Sequence, residues 1–76
     1  MQKINAEKEI GNNIAKLRSQ KGLTQEEMVR ELQLTGISLL RGTYAKIEAG
    51  IRNVSLHELR GIRKILSASW EDILGE

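Results

Sequence analysis

The 76-residue sequence contains no cysteine, no proline and no phenylalanine, and its aromatic residues are one tyrosine and one tryptophan. The absence of cysteine excludes disulfides, and a single histidine argues against a zinc site. A chain of 8.6 kDa is one domain or a short chain that depends on a partner. This domain must be stabilised by isoleucine and leucine, a composition that favours helix packing over a β-sheet, where aromatic side chains are enriched.

Long apolar runs are also absent, since no stretch approaches the ~20 residues of a membrane span. Met1 precedes a charged, periodic segment instead of the apolar core of a signal peptide, so a cytoplasmic location is expected. The net charge is +2, which permits nucleic-acid binding without requiring it. Within residues 37–65, six basic residues stand against two acidic ones, a balance of +4. Such a block is either a solvated face or a binding surface.

Apolar residues recur every three or four positions along the chain, a pattern typical of α-helices, and no strand-like alternation persists. We therefore predict a compact all-α domain of five helices, all within a single domain covering 1–76. The first helix spans about 5–20, with Asn5 as its N-cap and Gly22 as a left-handed C-cap. Its inner face consists of Ile10, Ile14 and Leu17.

Three capping boxes, in which a Ser or Thr is followed three residues later by an acidic residue, predict the starts of helices 2, 4 and 5. They are Thr24 with Glu27, Ser55 with Glu58, and Ser69 with Asp72. Helix 2 runs from 25 to about 33, and the last helix holds Trp70, Ile73 and Leu74. Helix 3 ends at Ala49 before a capping Gly50. Its start stays open, because Leu40 is a poor N-cap and Ser38 a good one.

No constellation for catalysis is present. His57 is the only imidazole and has no evident orienting partner. Glu26 and Glu27 are adjacent on a helix and point to different faces. The glycines at 36, 42 and 50 do not match a phosphate-binding loop. We expect a protein that is not an enzyme and that uses no cofactor, metal or small-molecule ligand.

Three segments together carry a resemblance to a known family. Gly22-Leu23-Thr24-Gln25-Glu26-Glu27-Met28 is followed by Tyr44-Ala45-Lys46-Ile47-Glu48-Ala49-Gly50-Ile51-Arg52-Asn53 and then by Ser55-Leu56. In this order and spacing they resemble the phage repressor and Cro type of helix-turn-helix transcriptional regulator (lambda-repressor-like, or XRE-type), over about residues 10–74. The implied helix-turn-helix comprises helices 2 and 3, about residues 24–49. In that motif the second helix enters the major groove.

The resemblance implies sequence-specific binding to double-stranded DNA by a homodimer that regulates transcription, most simply as a repressor. Base contacts map to Arg41, Gly42, Ala45 and Lys46. Phosphate contacts map to Gln25, Thr43, Arg52 and Asn53. Arg41 is the best candidate to bind guanine, because its guanidinium can donate to O6 and N7 together. Arg18 and Glu48 are implied to form a structural salt bridge.

The sequence departs from the common family pattern in the turn. Eight residues lie between Leu32 and Arg41, against about three in the ordinary motif. This matches a variant with a lengthened turn, in which helix 3 can be aimed differently. Gly42 and Ala45 also stand where hydrogen-bonding side chains are frequent, so direct base contact rests mainly on Arg41 and Lys46.

Several assignments stay open. Trp70, Ile73 and Leu74 either close the core against helix 1 or form a dimer surface. Tyr44 is expected to pack its ring inward with the hydroxyl at the surface. The alternative function is a protein-interaction module, antitoxin-like or an adaptor, on the same fold. RNA binding has little support, because no aromatic pair is available to stack on bases.

Overall fold

The computed structural model describes residues 6–76, and all regular structure in that range is α-helical. The five helices are α1 (Ala6–Gln20), α2 (Gln25–Leu34), α3 (Arg41–Glu48), α4 (Leu56–Leu66) and α5 (Trp70–Leu74). The predicted all-α architecture of five helices is thus confirmed over the described residues. The N-cap predicted at Asn5 lies outside them. None of the helices in this range is long and apolar enough to cross a membrane.

Capping boxes start three of the helices, as predicted. The Thr24 hydroxyl oxygen accepts from the Glu27 amide at 3.0 Å, and the Glu27 carboxylate accepts from the Thr24 amide at 2.9 Å. The same reciprocal exchange starts α4 and α5, at Ser55 with Glu58 and at Ser69 with Asp72. Each exchange satisfies two backbone N–H donors that a helix start would otherwise leave without a partner, so these boundaries are fixed locally.

The first turn of α3 has no such cap. Its N-cap residue is Leu40, with extended backbone and no side-chain hydrogen bond, while the better capping residue Ser38 lies two positions too early. The helix ends at Glu48, one residue before the predicted end, and Gly50 then adopts a left-handed conformation with φ 74°. Because α2 continues to Leu34, the connection between α2 and α3 is six residues long, 35–40.

The core draws side chains from every helix. Its buried members are Ile14, Met28, Leu32, Ile37, Tyr44, Ile47, Leu59, Ile62, Leu66, Ala68 and Ile73. Ile10 and Leu17, on the predicted inner face of α1, pack against this core while only half-buried. Burying a large aliphatic side chain contributes ~1.5–3 kcal/mol, so this cluster supplies the main driving force for folding.

Two glycines let α3 approach α1 unusually closely. A Cβ on Gly11, in the middle of α1, would lie 2.3 Å from the carbonyl oxygen of Ile47 in α3. A Cβ on Gly50 would lie 2.4 Å from the Cα of Lys8. α3 therefore rests directly on the α1 backbone and also packs against α2, while α5 packs against α1. Both contacts fix the position of α3 and leave its other side open.

Candidate nucleic-acid interface

α3 has a buried face and an exposed one. Tyr44, Ile47 and Glu48 are buried, at the three- and four-residue spacing that places side chains on one side of a helix. The opposite side, here called the outer face, is formed by Arg41, Gly42, Ala45 and Lys46. Arg41, Gly42 and Lys46 are exposed and Ala45 is half-buried. The structure thus brings together all four residues to which the resemblance assigns base contacts.

The charge of the outer face is entirely positive. Neither the Arg41 nor the Lys46 side chain has a hydrogen bond or ion pair to another residue within 6–76. Glu48, the only carboxylate in the α3 sequence, has a side chain that is 5% exposed and lies on the buried side. Both cations are therefore available to an external partner without first breaking an internal contact.

Glu48 lies at the centre of a hydrogen-bond network that joins three helices. Arg18 of α1 donates from Nε to Glu48 Oε2 at 2.6 Å and from Nη2 to Oε1 at 3.0 Å. Gln25, the first residue of α2, donates from Nε2 to Oε1 at 2.9 Å. The Tyr44 hydroxyl donates to Oε2 at 2.5 Å. This Glu48 network includes the salt bridge that the resemblance implies, and it holds the last turn of α3 against α1 and α2.

The network determines the ionisation of its members. Burial acts to raise the pKa of Glu48, but the hydrogen bonds from Arg18, Tyr44 and Gln25 outweigh it, so this pKa lies below the ordinary carboxyl value. Burial and the bond to Glu48 both raise the pKa of the Tyr44 hydroxyl far above its ordinary value. Glu48 is thus anionic and Tyr44 neutral at neutral pH, which is the pairing that the observed donors require.

The lowered pKa of Glu48 predicts acid destabilisation. A carboxyl whose pKa is lower in the folded state stabilises the fold fully above its unfolded pKa of 4.5. That contribution is lost as the pH falls through the lower folded value. Glu27 and Glu58 also have lowered pKa values and add to the same effect. We expect the melting temperature to fall steeply on acidification below the ordinary carboxyl pKa, measured by circular dichroism.

Glu48→Gln provides the control for this prediction, because a neutral amide cannot titrate. The variant should be less stable at neutral pH, and its melting temperature should decline less steeply with acid than that of the unmodified chain. If the melting temperatures of the two proteins fall equally steeply with acid, Glu48 does not contribute to the pH dependence.

The residues to which the resemblance assigns phosphate contacts differ in availability. Asn53 is exposed and Thr43 is half-buried near the start of α3. Gln25 is half-buried and uses one amide hydrogen to reach Glu48. Its amide group has a second hydrogen, so a contact to phosphate and the bond to Glu48 are compatible. The structure therefore gives Gln25 an internal role, and its phosphate contact stays a prediction.

Arg52 forms an ion pair within the chain. Its Nη1 and Nη2 donate to Glu58 Oε1 and Oε2 at 3.1 and 3.2 Å, and Nη1 also donates to the backbone carbonyl of Asn53. This bidentate pair lowers the pKa of Glu58, with the hydrogen bond from Arg52 as the main cause. Because Glu58 also completes the capping box of α4, the pair ties the segment after α3 to that helix. A phosphate would have to compete with Glu58 for Arg52.

One expectation from the sequence is wrong, and one alternative that it left open is excluded. The Tyr44 hydroxyl does not reach the surface, because the residue is 0% exposed and donates to Glu48. Ile73 cannot belong to a dimer surface, because it is also 0% exposed and packs in the core of the single chain. Trp70 is half-buried and Leu74 is 37% exposed, so only these two of the three remain at the surface.

Sequence reasoning missed Gly11 as the residue that positions α3. A glycine inside a helix costs ~1 kcal/mol relative to alanine, so its presence indicates close packing. It also missed that Tyr44 and Gln25 complete the Glu48 network. The i, i+4 spacing of Tyr44 and Glu48 was a local signal for the first contact, whereas no local pattern indicated the second. Asn13 likewise donates from Nδ2 to the Ile73 carbonyl at 3.0 Å and holds α5 against α1.

Nothing in the described part of the chain supports metal or acid-base chemistry. His57 is exposed, and residues 6–76 contain no group of three or more His, Asp or Glu side chains that could hold a metal ion. The polar cluster that the fold does build, around Glu48, consists of mutually satisfied groups. It holds α1, α2 and α3 together.

Comparison with known proteins does not assign the chain to a family. No protein-family model, no curated protein and no solved structure matches it. The function must therefore be argued from the outer face of α3 and from the contacts that hold this helix in place.

Proposed function

We propose that the protein binds double-stranded DNA sequence-specifically through the outer face of α3 and regulates transcription, most simply as a repressor. The proposed fold is that of the phage repressor and Cro type, with α2 and α3 as the helix-turn-helix. One observation carries the proposal: the outer face presents two cations whose side chains have no partner within residues 6–76, while the only carboxylate of α3 is buried and paired with Arg18.

The dimensions of α3 support insertion into the major groove. An α-helix with its side chains is about 10–12 Å in diameter, and the major groove of B-DNA is about 12 Å wide. Gly42 and Ala45 have short side chains, so the helix backbone can approach the floor of the groove. Arg41 is at the first position of α3, where helix-turn-helix proteins contact base edges. Its guanidinium matches guanine O6 and N7, and the Ala45 methyl matches the methyl group of thymine.

The surroundings of α3 support contact with the DNA backbone. Thr43 and Asn53 offer polar groups at the two ends of the helix, and Gln25 offers one free amide hydrogen at the start of α2, where the helix dipole favours an anion. Homodimer binding would place two copies of α3 about 34–36 Å apart on successive major grooves. Because only Arg41 and Lys46 provide strong base contacts, a second copy would supply much of the specificity.

The test is selection of a preferred duplex from random DNA, followed by binding isotherms over a range of salt concentrations. Arg41→Ala should weaken binding to the selected duplex by about 1–3 kcal/mol, because it removes a bidentate base contact, and should change binding to random duplex less. If Lys46 contacts phosphate, Lys46→Ala should weaken binding to all duplexes alike and reduce the salt slope by about 0.9. Fluorescence anisotropy of a labelled duplex measures both effects.

Lys16→Ala is the matched control, since it removes one exposed positive charge from α1, away from the outer face. It should leave affinity for the selected duplex nearly unchanged. The proposal fails if no duplex is retained even at low salt. It also fails if Lys16→Ala and Arg41→Ala weaken binding equally.

A further inference from the structure

A groove of about 670 Å³ lies between α4 and α5 and plays no part in the proposed DNA contact. Its apolar lining consists of Leu56, Leu59, Trp70 and Leu74. Leu56 is 58% exposed and Leu74 is 37% exposed, so part of this apolar surface faces solvent. The volume is in the range of sites that accommodate small ligands or a few apolar side chains.

The remaining lining residues are all cations, namely Arg60, Arg63 and Lys64. Arg60 and Lys64 are exposed and have no ion pair with any carboxylate in residues 6–76. The Arg63 guanidinium lies 4.9 Å from the centre of the Trp70 ring and donates from Nη1 to the Ala68 carbonyl at 3.2 Å. The groove is thus apolar inside and positively charged along one side.

The acidic residues near the end of the chain do not neutralise this charge. Glu71, Asp72 and Glu76 line a separate depression beside α1, together with Asn13 and Lys16. No carboxylate is among the residues that line the α4–α5 groove. The two sides of α5 therefore differ in charge, and the groove side is left positive.

We infer that the α4–α5 groove docks an acidic amphipathic segment of another protein. The apolar side chains of this segment contact Trp70 and Leu74, and its carboxylates pair with Arg60 and Lys64. Such a segment complements both halves of the lining, in the way that amphipathic helices occupy apolar grooves. DNA is a poorer match, because protein–DNA interfaces are polar and this groove has an apolar interior.

A second copy of this chain is also a poorer match. In a two-fold contact the same surface patch meets itself. Such an interface would contain the cations of both grooves and no carboxylate from either lining, so like charges would repel. An acidic partner segment avoids this repulsion. The site is on α4 and α5, whereas α3 packs mainly against α1 and α2, so docking and DNA binding need not compete.

Trp70 makes the inference directly testable, because it is the only tryptophan of the chain and lies in the groove. The probe is a synthetic helical peptide with leucine at i, i+3, i+4 and i+7 and glutamate on both flanks. Titration should produce a saturable shift in Trp70 emission that weakens with added salt. A peptide with lysine in place of each glutamate should bind at least roughly tenfold more weakly.

Charge reversal at the groove supplies the matched variant. Arg60→Glu combined with Lys64→Glu should weaken the glutamate peptide at least roughly tenfold and strengthen the lysine peptide. Both residues are exposed and unpaired with carboxylates in the described chain, so the fold should persist, which a circular dichroism melt checks. Arg41→Ala removes a positive charge from α3 and should leave peptide binding unchanged.

Four results would overturn the inference. One is the absence of a saturable change in emission up to roughly 1 mM peptide. Another is equal binding of the two peptides. A third is self-association in sedimentation equilibrium that Leu74→Glu abolishes, since the occupant would then be a second copy. The last is a loss of DNA affinity on charge reversal as large as that of Arg41→Ala, which would place the cations in the DNA surface.

Discussion

Replacing Arg18 by alanine is expected to lower the free energy of unfolding by about 3–5 kcal/mol, because it leaves the Glu48 carboxylate buried without its charged partner. The salt bridge is short at 2.6 Å, and the two side chains are only 17% and 5% exposed. A chain of 76 residues has a total stability of about 4–11 kcal/mol. The variant should therefore lose from about a quarter to all of the stability of the chain, which urea denaturation followed by circular dichroism measures.

The reason for so large an effect is that Arg18 makes three hydrogen bonds at once. Besides its two bonds to Glu48, Nη1 donates to the Leu23 carbonyl at 2.7 Å, in the segment that joins α1 to α2. Arg18→Lys keeps the charge but cannot reproduce this planar fork, so its stability should lie between that of alanine and arginine. Tyr44 and Gln25 donate to the same carboxylate. The destabilisation caused by replacing Arg18 therefore depends on the geometry of the network as well as on charge.

Lys16→Ala is the control for this series as well, since Lys16 is exposed on the same helix. It should change stability by no more than about 0.5 kcal/mol. A double variant, Arg18→Met with Glu48→Met, should be less destabilised than Arg18→Ala, because no charge is left unpaired in the interior. Equal melting temperatures for Arg18→Ala and Lys16→Ala would show that the salt bridge does not hold the fold together.

A single methyl group on Gly11 should have an effect of similar size. The added Cβ would lie 2.3 Å from the Ile47 carbonyl oxygen and 2.7 Å from that of Glu48, both of them backbone atoms that no side-chain rotation can move. α1 and α3 would have to separate, which weakens the Glu48 network. We expect Gly11→Ala to cost about 3 kcal/mol, the upper part of the range for overpacking, despite the better helix propensity of alanine.

Gly42→Ala is the matched control because nothing lies within 4 Å of the position that its Cβ would occupy. It should stabilise the chain by up to about 1 kcal/mol through helix propensity. Thermal denaturation of the two variants beside the unmodified chain gives both values. If Gly11→Ala is as stable as Gly42→Ala, the close approach of α1 and α3 is not a constraint on the fold.

The same pair of variants also bears on DNA binding. Gly42 lies on the outer face, and a methyl group there reduces how closely α3 can approach the floor of the major groove. Gly42→Ala should then weaken DNA binding although it stabilises the protein. If Gly42→Ala is more stable and yet binds DNA more weakly, Gly42 serves binding and not folding.

Local patterns predicted the boundaries that local contacts determine. The starts of α2, α4 and α5 followed from capping boxes, whose partners are three residues apart and therefore visible in the sequence. The start of α3 was not predictable in this way, because Leu40 makes no cap and the position of the helix depends on α1 and α2. The end of α2 at Leu34 was not predictable to the residue either, since the ends of helices fray and vary.

The residues of the outer face could be predicted, but most of the contacts that hold α3 in place could not. Arg41, Gly42, Ala45 and Lys46 were implied by the family resemblance, and their three- and four-residue spacing agrees with one side of a helix. The contact from Tyr44 to Glu48 is an i, i+4 pair within α3 and was open to sequence reasoning. The contact from Gln25 to Glu48 required the relative placement of α2 and α3, which the sequence does not show. The burial of Ile73 was undetermined for the same reason, since a five-residue helix has too few positions to define a face.

The dependence of α3 on its neighbours limits how its proposed specificity can be transplanted. An isolated helix of eight residues without a side-chain cap is not stable in water, and three of its eight residues serve the buried side. A synthetic peptide of α3 should therefore be unstructured. Redesign for another target sequence has to exchange only outer-face side chains and keep Tyr44, Ile47 and Glu48. The rest of the domain is then a reusable scaffold whose variable part is four positions.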